Sequence, residues 1–239
     1  MCNVYAPPSP EYLGLSAQKY LYGNYVSPLK PGPYAKPDGM TVGQWGMIAP
    51  GNKTRKPFGQ TNNARMETIA TLATYRGPWA NGQRCLIPAV SFDEPYYPNT
   101  SIHTKSIGWR FWRADGEPWM LAGLWAEWLD KETGEIVNSY TMITQNCDAH
   151  PLLRLMHKPE RGDDGEVRPD SKQDKRAVVP LERNRWDEWL HGSVDQAKAL
   201  IQLPALEVFS HGAVDLSKGL PLPGVAYDTQ RLNSPRAPF

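Results

Sequence analysis

The sequence predicts a mixed strand-and-helix protein with an antiparallel sheet at its centre. Three observations carry this. The 23 Pro and 20 Gly among 239 residues demand many turns and argue against a helical bundle. The middle third alternates short aromatic and apolar runs with turn residues, the pattern of an antiparallel meander. Helical spacing of apolar residues is confined to a few short windows. The length suits one large domain or two small ones. No internal repeat and no clear boundary appears, so residues 1–239 are read as one domain.

Residues 1–60 are rich in Pro, Gly and Tyr and read as extended segments and loops, with Trp45-Gly46-Met47-Ile48 the best strand among them. Thr61-Asn62-Asn63 then precedes Ala64 to Ala73, where Met66, Ile69, Leu72 and Ala73 fall at helical spacing behind a capping Asn or Thr. Cys85 to Val90 is a short apolar run after a Gly-containing turn, hence a strand. Trp109–Trp112, Trp119–Trp128 and Ser139–Thr144 follow as strands, separated by turns at Gly116 and Glu132-Thr133-Gly134. Asp148-Ala149-His150-Pro151 caps a short helix through Met156. Residues 160–175 form a charged insertion that reads as an exposed, mobile loop. Ala177–Leu181 is a short strand. Trp186, Trp189 and Leu190 give a helix an apolar face that stops at Gly192. Ser193 to Gln196 resembles a capping box for a second helix through Leu203. The Pro-rich tail, about 218–239, wraps the surface.

A formal net charge of +1 provides no global basic field, so any polyanion must bind a local cleft. Nine Trp and eleven Tyr suit a large core or stacking surfaces. Cys2, Cys85 and Cys147 are widely spaced, odd in number and without a CxxC pair, which disfavours a zinc ribbon or a disulfide framework. No metal or cofactor is expected. The three thiols fit a reducing cytoplasm. No charged segment followed by an apolar run marks a signal peptide, and no stretch approaches a membrane span. No long heptad or edge signal appears, so a monomer is expected.

Chemistry enters at Cys2, directly after the initiator Met1. A small second residue permits methionine removal. A mature N-terminal cysteine carries an α-amine and a thiol on adjacent carbons. The amine condenses with an aldehyde to an imine, and the thiol closes a five-membered thiazolidine ring. With reference pKa values of about 7.7–8.0 and about 8.5, both nucleophiles are usable near neutral pH. The alternative is a thiol at a frayed terminus.

Asn62-Asn63-Ala64-Arg65 is either a helix cap with a surface arginine, or a set of donors at a helix start that favours an anion. Ser91-Phe92-Asp93-Glu94 ends an apolar run. Flanked by Phe92 and Tyr96, its carboxylates are either partly desolvated acid/base groups or two loop acids in water. Leu155-Met156-His157-Lys158-Pro159 puts a histidine and a cation at the end of a short helix, where His157 either caps carbonyls or moves protons. Of the other histidines, His103 and His191 read as exposed, His150 as a helix start and His211 as a turn. Trp109, Trp112, Trp119, Trp125 and Trp128 read mostly as core.

These signals occur in a specific order: Met-Cys, Trp45-Gly46-Met47-Ile48-Ala49-Pro50, Asn63-Ala64-Arg65-Met66-Glu67-Thr68, Arg84 to Glu94, Leu121-Ala122-Gly123-Leu124-Trp125, Thr141-Met142-Ile143-Thr144 and His157-Lys158-Pro159. From Cys2 to about Leu181 the chain resembles the SRAP family (SOS response-associated peptidase), which includes abasic-site shield proteins. The resemblance implies an α+β fold around a strongly curved, barrel-like antiparallel sheet flanked by helices, with a basic cleft for single-stranded DNA containing abasic sites. It implies that Cys2, freed of Met1, crosslinks to the ring-opened aldehyde. Asn63 would position the α-amine and opened sugar, Glu94 would act as acid/base in crosslinking and its reversal, and His157 would shuttle a proton, with strand cleavage by β-elimination accessible. Asn3, Arg65, Lys158, Lys175 and Arg176 are the expected polar DNA contacts, and Trp45 and Met47 the stacking ones. The protein would be cytoplasmic and nucleoid-associated during DNA damage.

The chain departs from the family pattern. Asp93 adds an acid beside Glu94 and so could raise its pKa. The family's histidine block is split by the charged insertion before Lys175-Arg176. The near-neutral charge implies salt-sensitive, modest affinity. Two other readings stand beside this one. A cysteine-type peptidase, acting on its own Met1 or on other chains, is disfavoured by the lack of a local Cys-His signature. A binder that has lost the chemistry is disfavoured by the presence of Cys2, Asn63, Glu94 and His157.

Overall fold

The computed structural model describes residues 2–16, 22–97 and 105–215. Met1, His103 and the tail from residue 216 lie outside them, so the expectations attached to those residues have no structural counterpart here. Strands come in chain order as β1 (Val4–Ala6), β2 (Pro31–Lys36), β3 (Gly39–Trp45), β4 (Asn63–Arg65), β5 (Arg84–Ala89), β6 (Ser91–Tyr96), β7 (Ile107–Arg113), β8 (Trp119–Leu129), β9 (Ile136–Asn146), β10 (Arg176–Val178) and β11 (Phe209–Ala213). Three short α-helices accompany them: α1 (Arg76–Ala80), α2 (Trp186–His191) and α3 (Val194–Ala199).

The curved sheet implied by the resemblance is present. β9, β3, β2, β5 and β8 pair in sequence, and β8 pairs back to β9, so five strands close into a barrel. It is not purely antiparallel. β3 and β4 both run parallel to β9. β10 extends β9 on its other side. A second sheet runs β1-β6-β7-β11. The barrel core holds Trp45, Trp119 and Tyr140, all fully buried. Closure needs small residues where strands crowd. A Cβ on Gly123 would meet Ile87 Cδ1 at 2.6 Å and the Thr141 carbonyl oxygen at 2.7 Å, so only glycine fits that crossing.

The three meander strands and the strand at 85–90 form as expected. So do α2, ending at Gly192, and the Ser193–Gln196 capping box, although α3 stops at Ala199 rather than Leu203. Three expectations need correction. Strand β3 ends at Trp45, because Gly46 adopts a φ of 140° and turns the chain out of the sheet. The helix expected over 64–73 does not form. Residues 63–65 are captured by β9 as β4, and residues 66–75 follow as linked turns. Thr68, Ile69 and Thr71 are β-branched and offer helix little resistance to that pull. Within the expected capping segment it is His150, read as a helix start, that caps the turn at Leu153–Leu155, with Nδ1 accepting from the Leu152 and Leu153 N–H groups. His211 is in β11 rather than a turn, and its Nδ1 accepts from the Trp109 indole.

Candidate functional site

Strand β1 sets the site. It pairs antiparallel with β6 in the register Val4↔Asp93 and Ala6↔Ser91. Continued outward, that register brings Asn3 and Cys2 level with Glu94 and Pro95. Cys2 is fully buried, so it is not at a frayed end. Two side-chain amides grip its carbonyl oxygen: Asn63 Nδ2 at 2.8 Å and Asn62 Nδ2 at 3.2 Å. Asn62 also donates to Asn3 Oδ1 at 3.3 Å. Because 63–65 is a strand, these residues are not donors at a helix start. Asn63 Oδ1 is buried and has no hydrogen-bond partner among the described residues, so an unused acceptor lies on the same amide that holds the Cys2 carbonyl.

Glu94 sits on β6 with 4% of its surface exposed, and neither carboxyl oxygen has a hydrogen bond among the described residues. Burial pushes its pKa up to about 8, the positive charge of the chain's terminal amine works against that, and neighbouring Asp93 adds a smaller upward push. The like-charge effect expected from Asp93 is thus minor. Asp93 is itself held by both sides of the Arg110 guanidinium at 2.7 Å. Near neutral pH Glu94 therefore carries a proton. Burial also raises the Cys2 thiol well above its ordinary value, and Glu94 adds to that.

His157 closes the site. Its backbone N–H donates to the Pro95 carbonyl at 2.6 Å. Its Nε2 lies 3.4 Å from Glu94 Oε2 and 3.1 Å from the Arg176 carbonyl. A carbonyl only accepts, so Nε2 carries the proton and points it at Arg176, which leaves Glu94 without a proper hydrogen bond. Burial depresses His157 to about 3, with the chain's terminal amine and Lys175 adding to the effect. The imidazole is neutral. Cys147 is a buried third thiol whose pKa burial pushes up to about 12, with Glu94 adding to the effect.

The expected DNA contacts divide. Arg65 and Lys158 are exposed, and Arg65 pairs with Asp174 at 3.1 Å. Asn3 is exposed at the site's edge. Arg176 is buried and bonded to Glu67 and Asp174. Lys175 is buried and spends its ammonium on the carbonyls of His157 at 2.7 Å and Lys158 at 3.2 Å. The stacking assignments fail in this conformation, because Trp45 and Met47 have no exposed surface. Trp45 instead donates its indole N–H to the Asn62 carbonyl at 2.8 Å and so supports the grip on Cys2.

Sequence reasoning missed a different aromatic. Phe58 is 98% exposed, in a loop with Lys53, Arg55 and Lys56 and no acid between 51 and 60. The Gln44 amide, the Trp128 indole and the Asn52 amide bond the loop's carbonyls. The loop leads straight into buried Thr61-Asn62-Asn63. Three cations and an aromatic between Pro57 and Gly59 were the available signal. On the other side, His157 borders a cleft of about 220 Å³ whose walls include Tyr96, Tyr97 and residues of the 160–175 insertion. That insertion is a largely exposed loop closed by an Arg161↔Val167 bridge. No helix among the described residues is long and apolar enough to cross a membrane.

Comparison with known proteins adds three findings. A family model described as SOS response associated peptidase (SRAP) matches residues 23–215. The chain is similar to "Abasic site processing protein HMCES" of Gallus gallus, 27% identical over 135 residues, and to "Abasic site processing protein YobE" of Bacillus subtilis (strain 168), 35% identical over 101 residues. These matches take in 48% and 42% of this chain but only 38% and 44% of those proteins, less than half of either. Among solved structures, a Bordetella bronchiseptica protein superposes with a TM-score of 0.72 at 30% identity, over 90% of this chain and all of that one. A Bacteroides thetaiotaomicron protein shares the fold at 17% identity, with a TM-score of 0.64 over 89% of this chain and 92% of its own.

Proposed function

The chain belongs to the SOS response-associated peptidase (SRAP) family, and on that premise we propose that it captures abasic sites in single-stranded DNA through Cys2, once Met1 is removed. The observation that carries this reading is the burial of Cys2 at the end of the β1/β6 register beside the buried Glu94 carboxyl, with two asparagine amides holding its carbonyl. The names of the two relatives point the same way.

The chemistry follows from these groups. The Cys2 α-amine adds to the aldehyde carbon of a ring-opened abasic sugar and gives a carbinolamine. Glu94 protonates the hydroxyl, which leaves as water, and an iminium forms. The carboxylate left on Glu94 takes the thiol proton as sulfur adds to the iminium carbon. The ring closes with a neutral nitrogen, Glu94 is protonated again, and one water is the only by-product. In reverse, the same proton on Glu94 assists ring opening. A raised carboxyl pKa suits both directions, since an acid with an ordinary pKa would have lost its proton. Asn63 Oδ1 is the acceptor available to an ammonium or amine at the chain end. Neutral His157 serves the sugar hydroxyls and the 3′ phosphate, where β-elimination from the imine competes with ring closure. The loop at Phe58, Arg65 and Lys158 supply stacking and phosphate contacts for a single strand.

The test is mass spectrometry after incubation with a single-stranded oligonucleotide carrying one abasic site. Expected is a denaturant-resistant adduct with the mass of the Met1-free chain plus DNA minus one water. Cys2→Ser should give no such adduct, yet yield one on borohydride trapping of the imine. Retained Met1 with no added mass would overturn the proposal, and so would a stable adduct of the serine variant.

A further inference from the structure

Lys175 reads in the sequence as a cation for DNA phosphate. Its surroundings say otherwise. Only 6% of it is exposed, and a lysine is buried that far only when its ammonium is well partnered. Two of its partners are consecutive carbonyls, His157 at 2.7 Å and Lys158 at 3.2 Å. Its backbone is fixed as well. The Asp148 carboxylate accepts from the N–H of Lys175 at 2.7 Å and of Asp174 at 3.0 Å, and the Lys175 carbonyl accepts from the Cys147 N–H at 2.8 Å.

The residue it grips is in an unfavourable conformation. His157 has a φ of 64°, the left-handed region that costs a residue with a Cβ. Such a turn persists when neighbours over-determine it. Three bonds do so here: the His157 N–H to Pro95, the His157 carbonyl to Lys175, and Nε2–H to the Arg176 carbonyl. Two of the three come from Lys175 and the residue after it. We propose that Lys175 is a positioning residue, whose ammonium holds the His157 turn so that the imidazole stays against Glu94 in one tautomer. A cation this close to the imidazole also works against protonation of the ring. The proposal rests on the reading of His157 as part of the reacting site.

The test compares wild type with Lys175→Met, which keeps the aliphatic stem, and Lys175→Arg, which keeps charge and donors. Two readouts are needed: the rate of covalent adduct formation at saturating abasic oligonucleotide, and the Kd for an intact oligonucleotide as a function of salt. A third is the ¹⁵N spectrum of the His157 ring, assigned with His157→Gln. Expected for Lys175→Met is a rate lower by about 10- to 100-fold, the scale of a small misplacement of a reacting group. Its intact-DNA Kd and salt slope should be unchanged, and its ring signals should lose the single Nε2–H tautomer. Lys175→Arg should recover most of the rate and the tautomer. The proposal is overturned if the ring spectrum of Lys175→Met matches wild type. It is also overturned if the variant keeps its saturated rate while its Kd weakens and its salt slope falls by about one, the signature of a phosphate contact. If wild type forms no adduct, the capture reading falls, while the ring spectrum still decides what Lys175 holds.

Discussion

Replacing Glu94 with Gln removes a proton that the folded chain binds and the unfolded chain does not. The folded carboxyl titrates at about 8, whereas an unfolded glutamate titrates near 4.3. Between those values the native state holds more protons, so stability falls as pH rises. The contribution is full below the unfolded pKa and disappears as pH passes through the folded one. From about pH 6.5 to about pH 8, one such group removes about 1.6 kcal/mol. Glutamine has nearly the same shape and no titration, so Glu94→Gln should lack this loss. His157 works in the opposite sense, since its depressed pKa of about 3 costs stability only as pH drops below its unfolded value. It is present in both proteins and drops out of the comparison. Urea unfolding at the two pH values, wild type against Glu94→Gln, should give a double difference of about 1.6 kcal/mol. Parallel losses in the two proteins would refute the buried, protonated carboxyl and remove the acid from the proposed ring closure.

Phe58→Ala should weaken binding of an intact single-stranded oligonucleotide by about 5- to 150-fold, the range for one lost base–aromatic stack, with Phe58→Trp retaining affinity; fluorescence anisotropy decides. Gly123→Ala should destabilise the chain by about 1–3 kcal/mol, because its new methyl group meets Ile87, the Thr141 carbonyl and Cys85 Sγ within 3 Å; a urea or thermal melt reads this directly.

Local patterns were legible wherever local physics decided the outcome. The strands around Trp112, Leu124 and Thr141 are aromatic and apolar runs bounded by turn residues, and the Ser193–Gln196 box is a hydrogen-bond motif contained in four residues. Strand β2 was hidden by Pro31-Gly32-Pro33, a sequence that looks like a turn. Its glycine is required by the hydroxyls of Tyr5 and Tyr140, which a Cβ would meet at 2.4 and 2.2 Å. The stretch 64–73 has helical spacing, but a long-range partner, β9, claims its start. In the candidate site, Cys2, Asn63, Glu94 and His157 were named from the chemistry of their side chains and from the family pattern; Glu94 lies on β6, His157 bonds the Pro95 carbonyl of that strand, and Asn63 bonds the Cys2 carbonyl. Burial was what the sequence withheld. Nothing in the residue types says that Trp45 props Asn62 from beneath, that Lys175 faces backbone carbonyls, or that the aromatic left in solvent is Phe58.

The pairing of β1 with β6 also sets a schedule. Val4–Ala6 is synthesised about 90 residues before its partner strand, Ser91–Tyr96. At about 5–20 residues per second, β1 waits roughly 5–20 s for the strand that covers it. After that interval β1 is a paired strand at the edge of the β1-β6-β7-β11 sheet, so on the proposed capture reading a residue ahead of Cys2 is trimmed most readily while translation is still under way.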